Sequence, residues 1–230
     1  MARLVSNHLK YDETKMYTRL LAQFEAQKME QSIRALAFAR EKHAGAVRKS
    51  TGQPYIVHPL QMATIAMSMG LNNDELLAVI ILHDVIEDND EMKLSDLPVN
   101  DTVKRGVEKM TAKQHQWESK TQMKVRYFHE LLDDKNAIIC KAIDRFVNLS
   151  SMAGEFTVNK IKKNVIETDQ LLLPIMREAK VRYPELAPTI YLLRVMVRSL
   201  NETLANAYGV ELKGEQLYGG AETYQNEYQE

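Results

Sequence analysis

Two imidazoles and two carboxylates carry the chemistry that this 230-residue sequence offers most plainly. His58 precedes a proline, His83-Asp84 closes the aliphatic run Leu76 to Leu82, and Asp144 follows farther along the chain. Two nitrogen and two oxygen donors make a borderline site suited to Mn²⁺, Fe²⁺ or Zn²⁺, with positions left open for water and a substrate oxygen. An ion so held acidifies water and stabilises charge developing on a phosphoryl oxygen, which is the chemistry of hydrolysis. Glu87 lies four residues after His83 and Asp88 four after Asp84, so on a continued helix both acids sit one turn beyond the ligands, placed to orient or deprotonate water. Asn148 stands four residues after Asp144 and offers a neutral amide for a sugar hydroxyl or phosphate oxygen.

The elements that must position these groups read as helices. Between Met29 and His43 the apolar residues Met29, Ile33, Leu36 and Ala37 recur at three- and four-residue steps, with Arg40 the one charge on that face. A second helix is expected over His58 to Met69, with Pro59 at a first-turn position, and residues 70–74 read as helix end, turn and N-cap. The next helix, from about Glu75, is expected to run through the aliphatic stem into Asp88. Further helices are predicted near Thr102–Met110, Lys120–Leu132, Asn136–Met152, Thr157–Lys180 and Pro184–Ala207. Period-two alternation is scarce, so the fold class expected is all-α, a helical bundle, with at most a short ribbon near Pro54–Val57. No internal repeat or Pro/Ser-rich linker divides the chain, and one domain over 29–212 is expected, preceded by a helical extension over 1–28 and followed by a polar, tyrosine-dotted tail over 213–230.

Composition narrows the partners. Thirty Lys+Arg against 31 Asp+Glu leave a net charge of −1, which argues against a generally basic nucleic-acid binder or a polybasic membrane-surface protein. The longest aliphatic run is far shorter than the roughly 20 residues of a membrane span, and the first residues lack an export signal's apolar core. A single cysteine, Cys140, forms neither an internal disulfide nor a cysteine-based metal site. A soluble, cytoplasmic protein is expected.

Several segments carry a resemblance. Ala39-Arg40-Glu41-Lys42-His43, Arg48-Lys49, Gly52-x-Pro54-Tyr55-Ile56-Val57-His58-Pro59, Leu82-His83-Asp84-Val85-Ile86-Glu87-Asp88 and Lys141-Ala142-Ile143-Asp144-Arg145-x-x-Asn148 resemble, in order and spacing, the HD-type hydrolase domain of the RelA/SpoT family. The likeness covers about residues 30–175, where Lys160 and Glu167-Thr168 resemble that domain's later helix, and the chain looks like a stand-alone small alarmone hydrolase.

The resemblance implies one Mn²⁺ held by His58, His83, Asp84 and Asp144, with Glu87 and Asp88 as the catalytic acids. It implies that Arg48, Lys49 and Ser50 form a basic loop at a nucleotide, and that Asn148, Ser151 and Lys160, with Lys113 beside them, contact ribose, base or phosphates. Charge logic agrees, because a polyphosphate needs cations and Lys42, Arg48 and Lys49 precede His58 closely.

The implied reaction is metal-dependent removal of the 3′-pyrophosphate from guanosine tetra- or pentaphosphate (ppGpp, pppGpp), giving GDP or GTP, in a role that could counter an alarmone-synthesising toxin. Two other readings stay open: a phosphatase acting on NADPH 2′-phosphate or a nucleoside monophosphate, and a non-catalytic nucleotide-binding or antitoxin protein. His43 reads as a helix-end residue supporting the ligands. His115 and His129 lack the flanking pattern of a second metal site.

Overall fold

In the computed structural model described here, residues 10–48, 51–89, 91–153 and 155–213 are described. They are helical with no strand, an all-α fold, and form two compact units, one up to Thr111 and one from Ala112 onward.

The first unit is built around its most apolar segment. α1 (Glu13–Ala26), α2 (Glu30–Lys42), α3 (Val57–Ser68), α4 (Asp74–Leu82) and α5 (Asp101–Met110) make it up. Every residue of α4 from Leu76 to Leu82 is buried, as expected of a helix with no polar face. α2, α3 and α5 pack on α4, and α1 covers α2 and α3. Asn73 caps α4 by accepting from the Leu76 N–H at 2.9 Å. Asp74 then caps a different helix: its carboxylate accepts from the Gln31 and Ser32 N–H groups and from Ser32 Oγ at 2.7–3.0 Å. That satisfies the start of α2, whose own N-cap, Met29, has no side-chain acceptor. Gly106 lets α5 approach α4 closely, since a Cβ there would lie 2.6 Å from Val79 Cγ2. Arg40 resolves its placement by lying over the Tyr17 ring, 4.4 Å from the centroid, with Glu13 at 3.7 Å.

In this unit two details differ from the sequence expectation. The ribbon spans 46–55: Val47 and Pro54 form an antiparallel bridge, Arg48 N–H donates to Gln53 O and Tyr55 N–H to Ala46 O, both at 2.8 Å, and Gly52 turns the chain at φ +67°. Regular α4 ends at Leu82, before the His-Asp pair rather than after Asp88. The physical reason is local. His83 Nδ1 sits 2.8 Å from Ile80 O, the carbonyl that the next helical bond, from Asp84 N–H, would use, and Val85 N–H then bonds Leu82 O three residues back.

The second unit contains α6 (Lys120–Glu130), α7 (Lys135–Ser150), α8 (Val158–Glu167), α9 (Leu173–Arg182) and α10 (Ala187–Tyr208). Asp134 caps α7 through the Asn136 and Ala137 N–H groups, and α7 packs on α10. The expected helix from Thr157 is interrupted by a π turn at Thr168–Leu172. Pro174, in the first turn of α9, has no N–H to give the carbonyl four residues back, and the widened turn precedes it. Gly209 at φ +64° ends α10. Lys213 N–H reaches Asp169 at 3.1 Å; the rest of the polar tail, 214–230, and residues 1–9 lie outside the described residues.

Candidate metal centre

Three of the four sequence-predicted ligands meet in the first unit. His58 stands in the first turn of α3, and His83 and Asp84 directly follow α4. His83 Nε2 is 3.0 Å and His58 Nε2 3.8 Å from Asp84 Oδ2, and the two imidazoles lie edge to face with centroids 5.2 Å apart. One ligand atom from each residue lies within 4.8 Å of the others. Both histidines are buried and Asp84 half-buried.

The hydrogen bond of His83 sets its ring for a cation. The Ile80 carbonyl can only accept, so His83 Nδ1 carries the proton and Nε2 turns its lone pair toward Asp84. A lone pair and a carboxylate oxygen 3.0 Å apart repel unless a proton or a cation lies between them. Two imidazole nitrogens and a carboxylate oxygen therefore fit a divalent transition-metal ion.

Around this cluster stand residues to which the sequence reading gave little or no role. Tyr55 donates its hydroxyl to Asp84 Oδ2 at 2.6 Å. Burial and the Asp84 carboxylate push its pKa well above the usual phenol value, so it remains a donor. His43, the C-cap of α2, is buried and stacks on Tyr55 with ring centroids 4.8 Å apart. Burial lowers its pKa to about 4 despite the opposing charge of Asp84, with His83 and His58 acting in the same direction as burial; it is neutral at pH 7. Its Nδ1 lies 4.0 Å from Asp88 Oδ2.

The Asp88 N–H bonds Asp84 O at 2.9 Å, so the acid stands one turn beyond the ligand as the spacing implied. Glu87 and Asp88 are both exposed. Arg48 is half-buried and bears electrostatically on Tyr55. Lys49 and Ser50 lie outside the described residues.

The second unit holds the remaining predicted residues. Asp144, buried on α7, is gripped at both oxygens: Asn148 Nδ2 donates to Oδ1 at 2.6 Å and Lys141 Nζ to Oδ2 at 3.1 Å. Burial disfavours the Lys141 ammonium, but Tyr127 and Asp144 outweigh it and the pKa is raised. Lys141 was quoted in the sequence motif without a role, although its i, i+3 spacing to Asp144 was the signal for this contact. Ser151 Oγ donates to Asn148 O at 3.2 Å. Lys160 is exposed, with Nζ 4.1 Å from the Phe156 ring centroid. Lys113 is exposed on a loop whose backbone is fixed from below, its carbonyl accepting from Arg126 at 2.6 Å. His115 stacks on Trp117 at 5.4 Å. Among the described residues the one cluster able to hold a metal is His58, His83 and Asp84.

Comparison with known proteins places this geometry. A family model described as the HD domain matches residues 35–213. The guanosine-3′,5′-bis(diphosphate) 3′-pyrophosphohydrolase of Aquifex aeolicus is 32% identical over 156 residues, 65% of this chain and 21% of that protein. The bifunctional (p)ppGpp synthase/hydrolase SpoT of Escherichia coli K12 is 29% identical over 158 residues, 65% of this chain and 22% of that protein. A probable 3′-pyrophosphohydrolase of Synechocystis is 30% identical over 152 residues, 62% of this chain and 19% of that protein. The chain thus spans about a fifth of the length of these relatives. With a helical fold, a His-Asp pair directly after a buried apolar helix and a match covering most of its length, the chain belongs to the HD-domain family.

Proposed function

We propose that this chain is a metal-dependent hydrolase that removes the 3′-pyrophosphate from guanosine tetra- and pentaphosphate, leaving GDP or GTP. The observation that carries the reading is the His58, His83 and Asp84 cluster, found in a chain similar to proteins named for this reaction. His58, His83 and Asp84 would hold one Mn²⁺, with Asp144 as the fourth ligand on the family's pattern. When bound, the cation supplies Lewis acidity, acidifying water and neutralising charge at phosphorus. Glu87 and Asp88 would take the proton from the water attacking the 3′-phosphorus and return one to the ribose 3′-oxygen as its bond to phosphorus breaks, so that pyrophosphate and GDP or GTP separate; their exposure gives both access to solvent protons.

Arg48, Lys49, Ser50, Lys113 and Lys160 would bind the phosphates, and Asn148 and Ser151 the nucleoside. The hydrogen bonds that Asn148 and Ser151 make within α7 support a second part for both, as props of the Asp144 carboxylate and its turn. No described helix is long and apolar enough to cross a membrane, and the reading sets the reaction in the cytoplasm with a small-molecule substrate and neither nucleic acid nor membrane. Removal of an alarmone would counter a toxin that makes it.

The test is ion-exchange analysis of products after the purified protein meets guanosine 3′-diphosphate 5′-diphosphate with Mn²⁺, beside a chelated control and Asp84→Ala. GDP and pyrophosphate, formed only by the wild type with metal, are expected. Orthophosphate as the product, or turnover of NADPH or nucleoside monophosphates in place of the tetraphosphate, overturns the assignment.

A further inference from the structure

Tyr55 occupies a position no ligand list would include, yet three parts of the first unit converge on it. Its backbone is held by the ribbon, through Tyr55 N–H to Ala46 O at 2.8 Å, and by the entry to α3, through His58 N–H to Tyr55 O at 2.9 Å. Its ring lies against His43 from α2, 4.8 Å between centroids at 36°, and edge-on to His58 from α3, 6.2 Å at 76°. With backbone and ring both fixed, the phenol oxygen has one place to be, and there it donates to Asp84 Oδ2 at 2.6 Å. That oxygen is also the one nearest the two histidine nitrogens.

A carboxylate rotates freely about its last torsion unless something holds it. His83 cannot serve as the holder, because its Nδ1 proton is directed to Ile80 O. We propose that Tyr55 is a positioning residue of the metal centre, fixing the Asp84 carboxylate toward His58 and His83 so that the three donors are arranged before the cation arrives. The inference rests on the metal-hydrolase reading above and assigns a residue that reading does not use. It also accounts for the ribbon at 46–55, which delivers Tyr55 to the cluster as well as carrying Arg48. Partners that orient a ligating group typically change metal affinity by about 10- to 100-fold when removed.

The test is Tyr55→Phe, which deletes one oxygen and keeps the ring in its slot. Free Mn²⁺ is measured by electron paramagnetic resonance in titrations of wild type, Tyr55→Phe and Asp84→Ala, and the thermal midpoint of each metal-free protein is recorded. The expected result is a Kd for Mn²⁺ raised about 10- to 100-fold in Tyr55→Phe, with the metal-free midpoint lowered by no more than about 4 °C, the effect of one ordinary hydrogen bond. A Kd within threefold of wild type overturns the inference and leaves the metal centre standing. A wild type that binds no Mn²⁺, or binds it as well as Asp84→Ala does, removes the metal centre and the inference together. A midpoint collapse in Tyr55→Phe that accompanies lost affinity overturns it as well, because the residue would then be supporting the fold.

Discussion

Replacing Glu167 with Gln tests what holds α7, the helix that carries Asp144, within its unit. One buried carboxylate serves two cations there, Arg145 and Lys124, and Arg145 is further held by Asn164 Oδ1 at 2.8 Å. Burial by itself would raise the Glu167 pKa; the two cations outweigh it and hold the group at about 2, against an ordinary 4.5. A carboxylate whose folded pKa lies below its unfolded one stabilises the fold at pH values above 4.5, and that contribution fades as pH falls from 4.5 toward 2. The gap corresponds to on the order of 3 kcal/mol. The Gln variant also leaves the Arg145 guanidinium buried without its counter-charge, a change that costs about 3–5 kcal/mol in buried pairs. Urea unfolding followed by circular dichroism should therefore show a loss of several kcal/mol at pH 7. At pH 3 the wild type has already forfeited about 2 kcal/mol of the carboxylate's contribution, so the difference between the two proteins should narrow by that amount. A difference below about 1 kcal/mol at pH 7, the range of exposed pairs, or one that is the same at both pH values, would refute the reasoning.

Three further outcomes follow from the first unit. Gly106→Ala gains about 1 kcal/mol of helix propensity but drives its Cβ to 2.6 Å from Val79 Cγ2, an overpacking worth about 1–3 kcal/mol; a net loss in denaturant titrations is expected, relieved by adding Val79→Ala. Asp74→Ala removes the acceptors at the start of α2 and should cost about 1–2 kcal/mol, with Asp74→Asn recovering part of it in the same titration. Mn²⁺ at about 100 times its Kd should stabilise the wild type by about 2.7 kcal/mol, seen as a thermal shift that chelator reverses and that Asp84→Asn lacks; an equal shift in both proteins would place the ion elsewhere.

The apolar stem and its polar end were legible because they follow from composition alone. Seven consecutive aliphatic residues cannot face water, so α4 had to be central, and His83-Asp84 had to emerge from the core at its end. The point where the helix stops was not legible. It depends on a buried imidazole taking the Ile80 carbonyl, a competition between side chain and backbone that periodicity does not register. The same limit explains the π turn before Pro174, which a 3.6-residue pattern reads as unbroken helix. Asp74 illustrates a third kind of gap: it sits where a local reading assigns it to the helix it begins, and it caps another helix 42 residues away.

The ligands and their support differ in the same way. His58, His83 and Asp84 were legible as candidate ligands through their combination with Asp144 and the acids one turn on, whereas Tyr55 looks like any aromatic in a turn until the fold places its hydroxyl on Asp84. Lys141 and Asn148 stand likewise to Asp144: the i, i+4 amide was legible from spacing, while the ammonium three residues before it became meaningful only once its burial was seen. A metal centre of this kind is specified twice, once by donor chemistry that a sequence displays, and once by contacts that hold each carboxylate at a fixed angle. Around His58, His83 and Asp84 the second specification lies in the ribbon at 46–55 and the end of α2. Substitutions there should change how tightly the centre forms while leaving every ligand in place.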